Sequence, residues 1–428
     1  MLLIWTILTA ATALVWATRH LTLSRAARRL PPLHAGMYPD APGESPWPPL
    51  SVIIAAKDEE QNIEPAVQSW LAQDYPDFEL IVVNDRSTDR TGEILERLAG
   101  QDPRLRVVHV RTLREGWFGK NNAMREGVAV VSRRDARAAE PPEPWLCFSD
   151  ADCVMTSPRA LRVAVRHALE QGCDFLSILP VLHLRGAWER IVQPACGGIM
   201  MIWFNPLKVN DPRSTAAYAN GAFMLIRSDA YHALGGHVPF RTEVNEDMHM
   251  ARAAKRAGMR LRVVLNHDLY RVRMYNSFAQ AWRGWSRIFY GCFGTFRRLA
   301  ASLLALLFFS VLPWLALAVA GATLTLASEA APGWKPLLVA SAAACAVQQS
   351  VMFRFYRISH LPPLLAPTYP LGAVIALGML VSAMRRLGGR TPTTWRGTTY
   401  RADRVVATDG CPSPQRVARG DRPAQGIR

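Results

Sequence analysis

Apolar residues in this chain are distributed in two ways. Between Leu50 and about Tyr275 they form short runs, and outside that stretch they form long blocks. Leu50–Ala56, Glu79–Asn84, Leu105–Val110 and Trp145–Ser149 read as strands. Their Val, Ile and Leu are nearly continuous rather than alternating, which suits a strand covered on both faces. Stretches of helix length lie between them at 62–73, 88–99 and 119–131. Strands that alternate with helices predict an α/β domain with a mostly parallel sheet and helices on both faces. Ser157-Pro158 predicts a further helix start, with Ser as cap and Pro in the first turn.

The long blocks predict membrane segments. Met1–Thr18 is apolar with no basic residue ahead of it, and Arg19, Arg25, Arg28 and Arg29 follow. A signal peptide has the opposite order, so residues 1–18 read as an anchor whose C-terminal end faces the cytosol. That length is near the lower edge of the ~17–25 residues a span needs. Residues 19–49 read as a basic, Pro-rich linker, 50–275 as the globular domain, and 276–298 as an interfacial amphipathic segment. Membrane segments occupy 299–386: Leu299–Ala327, Leu337–Phe353 and about Leu361–Met384, the last carrying Pro362, Pro363, Pro367 and Pro370. The arginines at 297–298, 354, 357, 385, 386 and 390 all ask for the cytosolic side, which three full C-terminal crossings do not allow. Either the last segment is re-entrant or the charge rule fails once. The expectation is two to three C-terminal membrane helices, then a cytoplasmic tail, 387–428, partly disordered beyond Arg401.

Charge and cysteine content narrow the class. The 428 residues carry a formal charge of +16, yet the mean hydropathy is +0.04. Lys occurs only at Lys57, Lys120, Lys208, Lys255 and Lys335, so the excess is mostly Arg. Such a balance fits an anionic membrane surface or nucleic acid. No nucleic-acid motif accompanies it, and the apolar blocks favour the membrane. Seven scattered cysteines without a Cys-x-x-Cys argue against a disulfide framework or zinc site and for reduced thiols.

Polar clusters follow three of the four strands. Lys57-Asp58-Glu59-Glu60 follows the first, Asn84-Asp85 the second and Asp150-Ala-Asp152 the fourth. In parallel α/β sheets ligands sit outside the carboxyl ends of the strands. Asp150 and Asp152 offer hard oxygen ligands for Mg²⁺ or Mn²⁺ shared with substrate phosphates. Asp85 is placed for a base or ribose hydroxyl, and its alternative is a turn cap. Lys120, in Gly116-Trp-Phe-Gly-Lys, is placed to meet a phosphate, since the helix start disfavours a merely solvated lysine. Glu246 and Asp247 open a helix, as ordinary dipole partners or as a general base. Arg283 and Arg287, in Trp282-Arg-Gly-Trp-Ser-Arg, read as an interfacial anchor or as the groups that neutralise a diphosphate leaving group. Trp188–Val209 is too short and mixed to span, and lies in the interface or packs as core.

Taken in order, these clusters resemble the family 2 glycosyltransferases, with Ser51-Val-Ile-Ile-Ala-Ala-Lys-Asp-Glu-Glu, Val82-Val-Asn-Asp-Arg-Ser-Thr-Asp, Gly116-Trp-Phe-Gly-Lys, Phe148-Ser-Asp-Ala-Asp and Asn245-Glu-Asp over about residues 50–290. Arg273-Met-Tyr275, Arg283-Gly-Trp-Ser-Arg and Trp395-Arg-Gly-Thr-Thr-Tyr400 look like the membrane subgroup that includes hopanoid-associated, carotenoid-type and ceramide glucosyltransferase-like enzymes. The resemblance implies an A-type, Rossmann-like domain acting on a nucleotide-sugar donor, with UDP as the family expectation, and a membrane lipid acceptor. It places Asp58, Glu60 and Asp85 along the nucleotide, Lys120 near it, Asp150 and Asp152 on the metal and donor diphosphate, Asp247 as base for inverting displacement, and Asn220-Gly-Ala222 on the acceptor side. It also implies a cytoplasmic-membrane enzyme with its catalytic domain in the cytosol. Many relatives carry Gln-x-x-Arg-Trp; here Gln280-Ala-Trp-Arg283 is followed by Gly284, with Trp285 one position late. That departure argues against a processive polysaccharide synthase, the second reading. A non-catalytic scaffold, the third, would be expected to have lost a carboxylate, and none is lost.

Overall fold

A computed structural model describes residues 1–39, 47–132, 143–326 and 332–387, and the backbone of 393–395, 398–401 and 404–408. The chain opens with helix α1 (Leu2–Arg29), which continues from the apolar block straight through Arg19–Arg29. Helical hydrogen bonds do not depend on apolarity, and the helix runs until Pro31-Pro32 follows Leu30.

The alternating region follows the expected order: β1 (Leu50–Ala56), α2 (Ile63–Leu71), β2 (Phe78–Asp85), α3 (Thr91–Ala99), β3 (Leu105–Val110), α4 (Gly119–Ala129) and β4 (Trp145–Asp150). Next come β5 (Cys153–Met155), α5 (Ala160–Glu170), β6 (Phe175–Leu179), β7 (Val181–Leu182), α6 (Ala187–Trp203) and α7 (Pro206–Val209). The domain finishes with β8 (Met224–Arg227), α8 (Ser228–Ala233), α9 (Glu246–Arg256), β9 (Leu261–Leu265) and β10 (Tyr270–Val272). Seven strands form one sheet in the order β3-β2-β1-β4-β8-β6-β9. The first four are parallel; β8 runs antiparallel to both β4 and β6, so the sheet is mixed. The strands are buried on both faces, with Val52, Ile54, Leu80 and Val82 in one core and Ile53, Ile81 and Val83 in the other.

Register positions the polar clusters. Ala55 of β1 pairs with Asp150, and Ala56 pairs with Asn84, so the ends of β1, β2 and β4 lie level on one edge. A second sheet, β5-β10-β7, continues from that edge. Within it Cys153 pairs with Val272 in antiparallel register, which carries the chain leaving β10 past Asp152.

Beyond the domain lie α10 (Phe278–Phe293), α11 (Phe296–Leu306), a π-helical turn (Leu307–Val311), α12 (Leu312–Leu326), α13 (Trp334–Ile358) and α14 (Tyr369–Leu387). Gly294, at φ 62°, breaks α10 from α11. Among the described residues, four helical stretches are long and apolar enough to cross a membrane: Leu2–Arg29, Phe296–Leu326, Trp334–Ile358 and Pro363–Leu387. One is N-terminal and three are C-terminal. The π turn exposes backbone carbonyls, and side chains from other helices take them up: Trp16 Nε1 donates to Phe309 O at 2.7 Å, and Gln348 Nε2 to Phe309 O and Ser310 O at 3.2 Å each. Backbone groups freed in a membrane helix need such partners. Helix α13 packs along α1 and α12, whereas α14 packs against α6, α10 and α11. A side chain at Gly372 would strike Ile191 and Ala195 of α6, and one at Gly378 would strike Trp282 of α10. Small residues thus let α14 lie directly on α6 and α10. In the tail, β11 (Thr393–Trp395), β12 (Thr398–Arg401) and β13 (Arg404–Thr408) pair antiparallel; the rest of the tail expected to be partly disordered lies outside the described residues.

Candidate active site

A cavity of about 820 Å³ opens at the shared strand edge. All ten residues singled out in the sequence line it: Asp58, Glu60, Asp85, Lys120, Asp150, Asp152, Glu246, Asp247, Arg283 and Arg287. Asn220, Gly221 and Ala222 line it too.

At its inner end the loops after β1 and β2 are laced together. Asp58, in the left-handed region at φ 53°, accepts from Thr88 N at 2.8 Å and Thr88 Oγ1 at 3.2 Å, while its own N–H donates to Ser87 Oγ at 3.0 Å. Glu60 Oε2 accepts from Arg90 N at 3.3 Å. Asp85 is buried and gripped by the Arg86 guanidinium through two contacts of 2.7 and 2.8 Å. Arg86 was not singled out in the sequence, where it looks like one more surface arginine. Gly119 is required beside this pair, since a Cβ there would stand 2.6 Å from Asp85 Oδ2.

Lys120 lines the cavity with its ammonium held between carboxylates. Its Nζ lies 2.6 Å from Asp150 Oδ1 and 2.8 Å from Glu246 Oε1. Burial alone would lower its pKa, but Asp150, Glu246 and Asp247 outweigh that and hold it well above the ordinary lysine value. The ammonium is a fixed cation among three carboxylates. Glu246 is buried, and Oε1 is the oxygen that faces the ammonium. Asp247 points the other way: Oδ2 accepts from Gly221 N at 2.9 Å and Oδ1 from Met248 N at 2.7 Å. Its carboxyl is pushed up to about 7, first by burial and then by the Glu246 charge, with Lys120 opposing. Gly221 is the contact point of the group, because a Cβ there would stand 2.9 Å from Lys120 Nζ and 3.5 Å from Asp247 Oδ2.

Asp150 and Asp152 bracket the turn after β4. No group of three or more His, Cys, Asp or Glu forms a metal cage among the described residues. Two carboxylates at a cavity wall nonetheless fit a Mg²⁺ or Mn²⁺ ion, which is ordinarily held by one or two carboxylates together with substrate phosphates. Arg283 and Arg287, four residues apart on α10, line the cavity from that helix. Trp285 lines it too, and donates through Nε1 to Gln193 Oε1 of α6 at 2.7 Å. Asn245, just before Glu246, fastens α9 to α10 by donating to Cys292 Sγ at 3.0 Å; a Cβ at Gly291 would stand 2.7 Å from its amide.

The cavity has an apolar end. Leu23, Ala26 and Ala27 of α1, Pro194, Gly197, Met200 and Met201 of α6, and Phe355 and Ile358 of α13 close it. A Cβ at Gly197 would meet nothing within 4 Å.

Known proteins are similar to parts of this chain. The beta-monoglucosyldiacylglycerol synthase of Synechocystis sp. is 38% identical over 143 residues, 30% of this chain and 28% of that protein. The 4,4'-diaponeurosporenoate glycosyltransferase of Staphylococcus haemolyticus is 24% identical over 243 residues, 56% of this chain and 60% of that protein. The chain thus spans less than two thirds of either relative. A solved mannosyltransferase from Pyrobaculum calidifontis, in complex with GDP-Man and Mn²⁺, is 20% identical with a TM-score of 0.47, covering 81% of this chain and 97% of that one. Residues 48–291, more than half of the chain and nearly all of the cavity's polar wall, match the family described as glycosyltransferase like family 2, and the chain belongs to that family.

Proposed function

We propose that this protein is an inverting glycosyltransferase that moves a sugar from a nucleotide-sugar donor, probed first as a UDP-sugar, to the hydroxyl of a membrane lipid. The single cavity running from the strand-edge carboxylates to an apolar wall on α1, α6 and α13 carries this reading. Asp58, Glu60 and Asp85 line the nucleotide end. Asp150 and Asp152 would hold a divalent ion, which supplies positive charge against the donor diphosphate. Lys120 fixes Asp150 in place. Asp247 takes the proton of the acceptor hydroxyl as its oxygen bonds to the anomeric carbon, and the bond from that carbon to the diphosphate breaks on the opposite face. Arg283 and Arg287 meet the charge that collects on the departing diphosphate. The two relatives are named for a glucosyldiacylglycerol and for diaponeurosporenoate, both with long hydrocarbon parts, and the apolar wall suits an acceptor with such a part.

Membranes containing the protein, given UDP-sugars, Mn²⁺ or Mg²⁺ and a lipid extract, are expected to release UDP and gain a glycolipid visible by mass spectrometry. Asp152→Asn is expected to abolish both. Release that persists in that variant removes Asp152 from the metal site, and no glycolipid with any nucleotide sugar refutes the reading itself.

The Asp247 base acts only when deprotonated. Since its carboxyl is raised to about 7, the rate is expected to climb with pH through neutrality rather than through the usual carboxylate range. Removing the Glu246 charge removes a cause of that rise, so Glu246→Gln is expected to move the acid limb of the pH–rate profile to lower pH. A limb that stays put would detach it from Asp247.

The packing of α14 supports one of the two membrane arrangements. Helix α14 lies on α6, α10 and α11 rather than beside α12 and α13. Its first residue, Tyr369, meets Ser310 of the π turn inside the α11–α12 stretch at 2.9 Å, and the helix then runs along α6 and α10, which suits a segment that enters and returns. We propose three crossings, α1, α11–α12 and α13, with α14 re-entrant. The arginines at 19–29, 297–298, 354–357 and 385–386 then all face the cytosol with the catalytic domain, and the positive-inside rule holds throughout. A protease site after residue 428 is expected to be cut only in inverted inner-membrane vesicles. Cleavage from the periplasmic face would show α14 to be a full span.

A further inference from the structure

Tyr275 follows β10 directly, and the register of β10 on β5 brings this segment beside Asp152. Its ring lies against Gly284 of α10, where any Cβ would collide with the phenol. Gly284 is the position at which Gln-x-x-Arg-Trp would carry its Trp. The glycine therefore answers a tyrosine that occupies the space, and Trp285, one position late, is spent on Gln193. Gln280, Gly284 and Arg287, at helical spacing on one face of α10, line the cavity together with Tyr275.

The phenol has no hydrogen-bond partner among the described residues, although most of its ring is packed. Burial holds its pKa above the ordinary tyrosine value, and the charges that act on it most include Arg287, Asp152 and Asp150. It is therefore an O–H donor at neutral pH, lying in the field of both the metal-site carboxylates and the arginine on α10. The residue is half-buried and lines the cavity, so its O–H is open to a ligand that enters there. The ligand group that belongs between two carboxylates suited to a cation and an arginine is an anionic oxygen.

Resting on the glycosyl-transfer reading, we propose that the Tyr275 hydroxyl donates a hydrogen bond to the donor diphosphate, with Gly284 as the slot that admits its ring. Tyr275 and Gly284 form a matched pair, and Tyr275 fills a binding role that the arginines alone do not.

The test uses the full chain in detergent with Mn²⁺, titrated calorimetrically with UDP, GDP, uridine and guanosine. A hydrogen bond to a charged group corresponds to roughly 10-fold in affinity. Tyr275→Phe is expected to weaken the preferred nucleoside diphosphate by about that factor, with its nucleoside and the melting temperature unchanged. A purely structural role would not move the ratio of diphosphate to nucleoside. Gly284→Ala, which crowds the ring, is expected to lower the same ratio. If the wild type binds a nucleoside diphosphate and Tyr275→Phe keeps the full ratio, the diphosphate contact is wrong and the glycosyl-transfer reading survives. If the wild type binds neither UDP nor GDP, that reading falls and takes this contact with it.

Discussion

Asp247→Asn is expected to lower sugar transfer by about 10³-fold, within the range a positioned general base contributes, while nucleotide binding persists. The substitution is nearly isosteric. An amide oxygen can still accept from Gly221 N, which lies 2.9 Å from Asp247 Oδ2 in the native protein. The contact at Gly221 is kept, while Met248 N, which donates to Asp247 Oδ1 at 2.7 Å, loses its acceptor to the amide nitrogen. The capacity to take a proton disappears as well. The neighbouring carboxylate is a poor substitute, because Glu246 is buried with its oxygen 2.8 Å from Lys120 Nζ. Two measurements separate the outcomes: single-turnover transfer with a lipid extract, and calorimetric binding of UDP with Mn²⁺. Loss of transfer with retained binding assigns proton removal to Asp247. Wild-type transfer rates would mean that another group, or none, accepts the proton. Loss of both would make Asp247 a donor-site residue instead. Neutralising one of three crowded carboxylates also relieves repulsion, so the melting temperature is expected to hold or rise.

The parts of this site that were legible in the sequence are those that follow a strand. β1 to β4 announce themselves as unbroken apolar runs, and the acidic clusters directly behind them must lie at one sheet edge once the strands are parallel. β6, β8 and β9 were not read, because runs as short as Met224–Arg227 are decided by their neighbours in the sheet. For the same reason the sheet was expected to be mostly parallel, and the antiparallel β8 became visible only in three dimensions. Contacts between side chains were hidden more thoroughly. Lys120 was placed next to phosphate on helix position alone, yet residues 120, 150 and 246 meet as one charge cluster. Gly221 and Gly284 look permissive in a sequence; the atoms pressing on them, Lys120 Nζ and the Tyr275 ring, come from distant segments. The end of α1 was obscured by charge. Hydropathy drops at Arg19, but the backbone ladder continues to Arg29.

Lys120→Met should have the largest effect on the fold of any single change at the site. The native ammonium touches Asp150 and Glu246 and lies in the field of Asp247. Removing it leaves the buried Glu246 without its counter-charge, and breaking a buried pair in this way costs about 3–5 kcal/mol. The methionine side chain fills a similar volume, so packing contributes little to that loss. The carboxylates are expected to respond by holding protons. Because Lys120 opposes the rise of the Asp247 carboxyl, its removal moves the acid limb to higher pH, opposite to the shift expected of Glu246→Gln. Activity at neutral pH is therefore lost, with partial return under alkaline conditions in whatever fraction remains folded. The double variant Lys120→Met/Glu246→Gln distinguishes charge balance from contact with substrate. It removes one charge of each sign from the buried group, and its melting temperature is expected to recover toward wild type. Activity is expected to stay low, since Asp150 is no longer held at 2.6 Å by the lysine. Recovery of both stability and transfer would reduce Lys120 to a counter-charge for Glu246. Recovery of neither would show that the lysine's contact with Asp150 governs the local fold.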